Sequence, residues 1–138
     1  MERLLLHNMP TNKLVNIFFL STLLIIAHML EEWFSGFYNI FPFILYLVYL
    51  FQTTQRAVFG TFILMSWLLL FVILGFLSGR KWIRIILCIF GIIFIFELHH
   101  PIRAIFAGTY YPGAITGAVF PFLGFFFWRE LLKNWKKL

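Results

Sequence analysis

The sequence predicts an all-α membrane protein, in which four helices form a bundle across the bilayer and one further short helix is interfacial or re-entrant. Of the 138 residues, 62% are hydrophobic, only 12% are charged, and the mean hydropathy is +0.94. Soluble domains average about 25% charged residues, so this much apolar surface requires lipid around it. The length fits one transmembrane domain, residues 1–138.

Four apolar stretches approach the roughly 20 residues that a helix needs to cross a bilayer. They are residues 14–33, 57–77, 82–100 and 112–128. The first is followed by Glu31-Glu32-Trp33 and not by the small residues of a cleavage site, so we expect it to be a helix of the mature protein and not a signal peptide. Residues 40–51 are apolar but too short to cross. Pro42 near their start suits a first helical turn, so they predict the interfacial or re-entrant helix.

The basic residues predict the orientation of the chain. If four stretches cross, only Arg56 and Arg103 fall on one side of the membrane. The other side receives the remaining basic residues, which are Arg3, Lys13, Arg80, Lys81, Arg84, Arg129, Lys133, Lys136 and Lys137. The positive-inside rule then places both termini in the cytoplasm of a multi-pass cell-membrane protein. A fifth crossing by residues 40–51 would break this asymmetry. The same distribution, at the ends of apolar stretches, predicts no nucleic-acid partner.

Ionisable residues lie at the ends of the first and third apolar stretches. His28, Glu31 and Glu32 are spaced i, i+3 and i+4, so on a helix they point to one side. Glu97 and His100 have the i, i+3 spacing. Each ionisable group inside a membrane costs about 2.5–3.5 kcal/mol and usually marks function. In the predicted topology both ends lie at the outer level, so we expect the five groups to meet in one pocket.

This mixture of imidazoles and carboxylates suits a divalent metal such as Zn, Fe or Mn. Di-iron and di-manganese carboxylate bundles present their ligands from Glu/His pairs at i, i+3. We expect His28, Glu32, Glu97 and His100 to bind the metal, and Glu31, Glu32 and Glu97 to act in catalysis. A metal-free proton-transfer site is the alternative. Hydrogen bonding between helices alone is disfavoured, because such bonds return only about 0.6 kcal/mol each.

The start of the fourth stretch is rich in small residues. Gly113 and Gly117 have the spacing that lets two helices approach closely. The other interpretation is that a bare helix N-terminus and Thr116 hold an anionic or carbonyl group. His99 lies about 100° from His100 around a helix, which indicates a supporting or interfacial position. The roles of Arg56 and Arg103 stay open between a site carboxylate, lipid phosphate and the surface.

The run His28-x-x-Glu31-Glu32 in a small four-span chain resembles the HXXEE-motif family of small bacterial integral membrane proteins. Residues 97–100 and 110–117 are similar to the further polar and glycine-containing motifs of that family. The resemblance covers nearly the whole chain and implies a membrane setting, a bacterial source and a metal or catalytic site. It brings no established activity.

The function predicted from these features is an intramembrane enzyme with a buried His/Glu site, metal-dependent or proton-transferring, that acts on a lipid-like or small apolar substrate. Phe-rich walls would admit this molecule from the membrane lipid. Alternatives are a non-enzymatic metal- or proton-binding membrane protein, a transporter and an assembly subunit. Ser66 is almost the only polar residue that the second and fourth stretches offer inward, which disfavours transport.

Overall fold

The computed structural model describes residues 11–76 and 83–136, and within these ranges the chain is all-helical, without strands. The fold class all-α is therefore confirmed. The helices are α1 (Asn12–Ser35), α2 (Pro42–Phe51), α3 (Gln55–Phe76), α4 (Ile83–Phe96), α5 (His99–Ala107), α6 (Ala114–Gly117) and α7 (Phe120–Asn134), with a 3₁₀ turn at Phe37–Asn39. Some of the basic residues used to predict the orientation lie outside the described residues. They are Arg3, those of the predicted turn at residues 78–81, and Lys137.

Three helical stretches in the described part are long and apolar enough to cross a membrane. They are Asn12–Ser35, Ile83–Ala107, which joins α4 to α5, and Ala114–Asn134, which joins α6 to α7. This agrees with the predicted membrane location. Helix α3 contributes a shorter apolar stretch, Gln55–Leu70, so its crossing as a fourth span stays a prediction.

Helix α1 has a capping residue at each end. The Thr11 side chain accepts a hydrogen bond from the Leu14 amide at 3.4 Å, which satisfies one free N–H of the first turn. Gly36 ends the helix with a left-handed conformation, φ 76°, that glycine adopts without strain. The helix therefore extends two residues beyond each end of the predicted stretch 14–33, and its last turn carries Glu32.

The third predicted stretch is interrupted before its expected end at residue 100. Helix α4 ends at Phe96, a turn follows at residues 97–98, and α5 begins at His99. Pro101 does not end a helix here, because it lies in the first turn of α5, where no backbone hydrogen bond is lost. The interruption puts Glu97 at a junction between helices, beside the polar end of α1.

The short predicted helix at residues 40–51 is present as α2. Pro42 stands in its first turn, and Gln52 ends it with a positive φ of 49°. Helix α2 packs on α3, and Ile44 is its buried residue. Whether α2 lies at the interface or re-enters the membrane stays a prediction.

Helix α1 lies between two apolar clusters. On one side α7 packs against both α1 and α4, with Phe18, Phe90 and Phe127 in the shared core. On the other side α3 packs against α1 and α2 around Phe37 and Phe59. The close approach of α4 to α7 depends on Gly91, since a Cβ there would lie 2.6 Å from the Trp128 ring.

Candidate metal centre

Helix α1 supplies two site residues from its buried face. Leu14, Phe18 and Ile25 pack into the core at helical spacing, and His28 and Glu32 continue the same face toward the end of the helix. His28 is 2% exposed and Glu32 is 7% exposed. The apolar pattern that buries α1 thus carries an imidazole and a carboxylate into the interior.

The junction of α4 and α5 supplies the other two. His100 is 1% exposed in the first turn of α5, and its amide bonds to the Glu97 carbonyl at 3.3 Å. The Glu97 side chain is the more open of the pair, at 23%. Because the i, i+3 spacing puts both side chains on one side, both point at the end of α1.

The four side chains meet, and we call His28, Glu32, Glu97 and His100 the His/Glu cluster. The Nε2 atom of His28 lies 2.9 Å from Glu97 Oε2 and 3.8 Å from Glu32 Oε1. The Nε2 atom of His100 lies 3.2 Å from Glu32 Oε1 and 3.3 Å from Glu97 Oε2. The structure therefore brings together the four residues that the sequence predicts as metal ligands.

Both imidazoles are held through their other nitrogen. His100 Nδ1 lies 2.5 Å from the Pro112 carbonyl, which can only accept, so Nδ1 carries the hydrogen. His28 Nδ1 lies 2.7 Å from Thr116 Oγ1, and that hydroxyl donates to Glu31. The hydroxyl hydrogen is thus committed, and His28 Nδ1 is the donor. In the neutral ring each Nε2 then presents a lone pair to the cluster.

These distances fit a single cation. Metal–ligand bonds of about 2.0–2.1 Å in a tetrahedral site place neighbouring ligand atoms roughly 3.3–3.4 Å apart. The four nitrogen–oxygen distances run from 2.9 to 3.8 Å around that value. His28 Nε2 is buried and has no hydrogen-bond partner of suitable angle within the described chain, although Glu97 is near. His28, Glu32 and His100 can therefore hold a metal ion.

Glu31 lies beside the cluster and faces away from it. Its carboxylate accepts from the Thr116 hydroxyl at 2.5 Å, from the Thr116 and Ile115 amides at 2.8 and 3.1 Å, and from the Tyr110 hydroxyl at 2.9 Å. Glu31 thus reaches His28 through Thr116, and its predicted catalytic role stays a prediction. Partial burial, together with the Glu31 carboxylate, raises the pKa of Tyr110, which keeps its hydroxyl a donor.

Gly113 is the residue whose role sequence reasoning missed. It has φ +82°, and a Cβ there would lie 2.7 Å from His100 Nδ1 and 2.8 Å from His28 Cε1. At Gly113 the close approach is therefore of backbone to both rings, whose centroids are 4.8 Å apart. The predicted approach of two helices is found at Gly117, where a Cβ would lie 3.1 Å from Pro101 Cδ and 3.2 Å from His100 Cβ on α5. The dipeptide Pro112-Gly113 is a turn pattern that favours a positive φ, and it was the available indication.

His99 has a different setting from His100. Its Nδ1 donates to the Phe96 carbonyl at 2.8 Å, the residue is exposed, and its ring lies 3.8 Å from the His100 ring. With Glu97 and His100 it forms a second group that is close enough to hold an ion. Only one member of that group, His100, is fully buried. This placement agrees with the supporting position indicated by the sequence.

Arg56 and Arg103 lie against tyrosines and not in the His/Glu cluster. Arg56 Nε donates to the Tyr38 hydroxyl at 2.8 Å, and Arg103 donates to the Tyr111 hydroxyl at 3.2 Å. Each guanidinium also lies over the ring of its tyrosine. The contacts therefore do not support pairing of either arginine with a carboxylate of the His/Glu cluster. Lipid phosphate and a surface position stay open for both.

The His/Glu cluster lines one end of an apolar cavity of about 330 Å³. Its apolar lining comes from α1, α3, α4, α7 and the 3₁₀ region, and Ser66 and His99 are the further polar residues of that lining. Phe37 and Phe120 pack on the rings of His100 and His28. The arrangement puts metal-binding groups at the end of a space suited to hydrocarbon.

Comparison with known proteins adds no relative. No family model, no curated protein and no solved structure matches the chain. The function is therefore inferred from the geometry of the site.

Proposed function

We propose that the protein is an integral-membrane, metal-dependent enzyme that acts on a lipid-like or small apolar substrate. The observation that carries this proposal is the convergence of two imidazole Nε2 atoms and two carboxylates at one end of an apolar cavity. A pocket of mostly apolar lining with a few convergent polar groups is the usual form of a small-molecule site.

Charge balance favours a divalent cation in the His/Glu cluster. A buried carboxylate, Glu32, and a partly buried one, Glu97, would be costly without cations in a medium of low dielectric. Two neutral imidazoles, two carboxylates and one divalent ion form a neutral set. The nitrogen and oxygen donors suit Zn, Fe or Mn better than a soft metal.

Three residues suit the role of permanent ligands. His28, Glu32 and His100 are each more than nine-tenths buried, and catalytic zinc sites use three protein ligands with an open fourth position. Glu97 is more exposed and lies beside the fourth position. We propose that Glu97 is the fourth ligand when no other group is bound there. When water or substrate takes the fourth position, Glu97 would be free to accept a proton. A bound cation would polarise a carbonyl or lower the pKa of water.

Glu31 and Thr116 act as positioning residues in this proposal. The hydrogen bond from His28 Nδ1 to Thr116 fixes the tautomer and the ring orientation, and Glu31 holds the threonine hydroxyl. Metal-bound histidines usually donate their second N–H to an oxygen in this way. The Pro112 carbonyl does the same for His100.

Elemental analysis of the purified protein tests the metal. After growth in metal-replete medium we expect near-stoichiometric Zn, Fe or Mn, and loss of that metal in His100→Ala. His99→Ala distinguishes the two groups that could hold an ion: metal kept in this variant supports His28, Glu32 and His100, and metal lost supports Glu97, His99 and His100. Wild-type protein without stoichiometric metal, or His100→Ala protein that keeps it, would contradict the proposal.

A turnover experiment tests the enzyme. Metal-loaded, chelated and reloaded protein is incubated with a membrane lipid extract, and the lipids are compared by mass spectrometry. We expect a conversion that needs the metal and is lost in Glu97→Gln. Bound metal without any conversion would favour the alternative, a non-enzymatic metal-binding membrane protein.

The metal-free proton site is the second candidate, and the contacts of 2.9–3.3 Å between imidazole and carboxylate also suit protonated ion pairs. Elemental analysis separates the two. Transport has less support, because the polar lining of the cavity is concentrated at one end. Ser66, farther along, bonds to the Phe62 carbonyl within its own helix.

We also propose the predicted orientation, with cytoplasmic termini and the His/Glu cluster at the outer side, and membership of the HXXEE-motif family. Single cysteines in a Cys88→Ala background test the orientation. A cysteine at exposed Asn39 should react with an impermeant maleimide in intact cells, and one at exposed Lys136 only after permeabilisation. The opposite labelling would reverse the topology.

A further inference from the structure

We infer that the substrate is an uncharged single-chain amphiphile, which enters sideways from the bilayer between α3 and α4 and places an oxygen-bearing head at the His/Glu cluster. This inference rests on the proposed function and adds to it the class of molecule, its orientation and its route. Four observations carry it: the direction of the cavity, the position of its opening, its size and the charge of its polar end.

The cavity is elongated along the helices. On α1 its lining runs from Glu32 to Ile25, and on α4 and its junction from Glu97 to Ile89. At 1.5 Å per residue these intervals are about 10 and 12 Å. Polar groups lie at the helix-end side and hydrocarbon walls extend toward the middle of the spans. A lipid in the adjoining leaflet has the same orientation, so it would enter without turning over.

The opening lies between α3 and α4. Phe62, Leu69 and Ile89 line the cavity and are also 40%, 59% and 58% exposed on the outer surface. Ile25, Phe90 and Phe120, on the opposite wall, are buried. Residues that border both the cavity and the outside mark an opening, and this one lies among apolar side chains of two helices that we expect to cross the membrane. Exposed His99 marks a second opening, beside the polar end.

The size of the cavity favours a single chain. About 330 Å³ is at the lower end of the range for small-molecule sites, roughly 300–1,000 Å³. The lining of Phe, Leu and Ile side chains offers dispersion contacts to methylene groups and no hydrogen bonds. One hydrocarbon chain fits this space, whereas a two-chain phospholipid would leave its second chain outside.

The charge of the polar end favours a neutral head. A divalent cation with two carboxylates is already balanced, so an anionic head would bring an excess buried charge. The described lining contains no Lys or Arg that could offset it, since Arg56 and Arg103 contact Tyr38 and Tyr111 instead. An alcohol, aldehyde or ester head therefore fits better than a carboxylate or a phosphate.

Photolabelling with a long-chain alcohol that carries a diazirine in mid-chain tests the inference. The metal-loaded protein is reconstituted in phosphatidylcholine vesicles and labelled, and the adducts are mapped by mass spectrometry. We expect adducts on the cavity-lining segments of α3 and α4, competition by the unlabelled alcohol and weak competition by the fatty acid of equal length. Adducts spread evenly over the outer face of α7 would overturn the inference.

Two tryptophan variants on α3 form the matched pair. Leu69→Trp fills the opening, whereas Leu68→Trp adds the same side chain one residue away, at a position equally exposed (58%) but outside the cavity lining. We expect Leu69→Trp to lower the labelling roughly fivefold or more, because an added ring overfills the space, and Leu68→Trp to leave it unchanged. Equal labelling of the two variants would overturn the proposed route.

The experiment separates this inference from the proposed function. Metal content is measured on the same samples, and Leu69→Trp should keep its metal because residue 69 is no ligand. Wild-type protein with stoichiometric metal but without cavity labelling would overturn the inference alone. Equally strong competition by the fatty acid would overturn the neutral head. Wild-type protein without metal would overturn the proposed function first.

Discussion

Two polar clusters lie at opposite ends of α1, and they bury glutamate in different ways. Near the start of α1, Glu130 is 6% exposed and contacts Lys13 at 3.1 Å and Lys133 at 3.6 Å. The side chains of both lysines are more than half exposed. Near the other end, Glu32 and Glu97 face only imidazoles, which are neutral unless protonated.

The difference separates an attachment point between helices from a candidate binding site. Glu130 has permanent cations that reach it from the surface, and nearby Asn134 donates to the Thr11 hydroxyl at 3.3 Å, which ties α7 to α1. In the His/Glu cluster the nitrogen lone pairs and carboxylate oxygens point at one another, and a bound cation would satisfy them together. A buried glutamate indicates a site when its neighbours are themselves potential ligands.

The largest expected contrast is in metal content. His28→Ala removes one ligand from the His/Glu cluster, and we expect the bound metal to fall from near one per chain to background by elemental analysis. Glu130→Gln, a buried glutamate at the opposite end, should keep the metal. Equal loss in both variants would show that global unfolding and not ligand removal is responsible.

The next effect is on stability. Gly113→Ala places a Cβ against both imidazoles at a positive φ, so we expect the free energy of unfolding to fall by about 2–3 kcal/mol. Metal binding should weaken as well, because the rings must shift. Gly108→Ala is the matched control, since its φ is +63° but its Cβ would meet nothing within 4 Å. Similar melting temperatures for the two variants would contradict the close approach.

A smaller loss should follow from Glu31→Gln. The variant weakens the hold on Thr116 and thus on His28 while leaving the cluster intact, so metal affinity should fall roughly 10–100-fold without loss of capacity. Competition with a fluorescent chelator measures it. Unchanged affinity would contradict the positioning role, and complete loss of capacity would make Glu31 a ligand.

A still smaller effect on metal affinity is expected from ionisation of the Tyr110 hydroxyl. The raised pKa of Tyr110 means that the fold favours the neutral hydroxyl, which donates to Glu31. The stabilisation from this hydroxyl is fully present below the ordinary tyrosine pKa near 10, and it is lost as the pH rises above that value. We expect metal affinity to decline at such alkaline pH in the wild type, and less so in Tyr110→Phe. Identical pH profiles of metal affinity in the wild type and Tyr110→Phe would show that the Tyr110 hydroxyl does not support the site.

The smallest expected effect is at the attachment point. Lys13→Met should lower the melting temperature by only a few degrees, because Lys133 still contacts Glu130 and exposed ion pairs contribute little. Metal content should not change. A loss of metal in this variant would mean that the two ends of α1 are coupled.

The sequence predicted the cluster better than its details. Four of the five ionisable groups meet as expected, because the apolar face of α1 determines where His28 points. The predicted ligand set named Glu32 and not Glu31, although helical spacing alone does not separate them, since they flank His28 on the helix, about 60° to one side and 40° to the other. The neighbours decide: α6 amides bond Glu31, and His100 faces Glu32.

Other features needed the structure because they depend on distant contacts. The turn at residues 97–98 has no local breaker in the sequence, so the predicted stretch 82–100 ran through it. Glu130 lies among basic residues in sequence and has the pattern of a solvated surface. Glu130 is buried because α7 packs against α1, where Asn134 donates to Thr11. These two residues are far apart in the chain, so the sequence gives no local sign of the contact.

The His/Glu cluster joins the end of α1 to the α4–α5 junction, and both imidazoles are held by the segment from Pro112 to Thr116. During synthesis, α1 reaches the membrane long before that segment has left the ribosome. His28 and Glu32 must therefore wait for the last third of the chain, so a metal bound as proposed would be acquired late in biogenesis, after the final helices have docked.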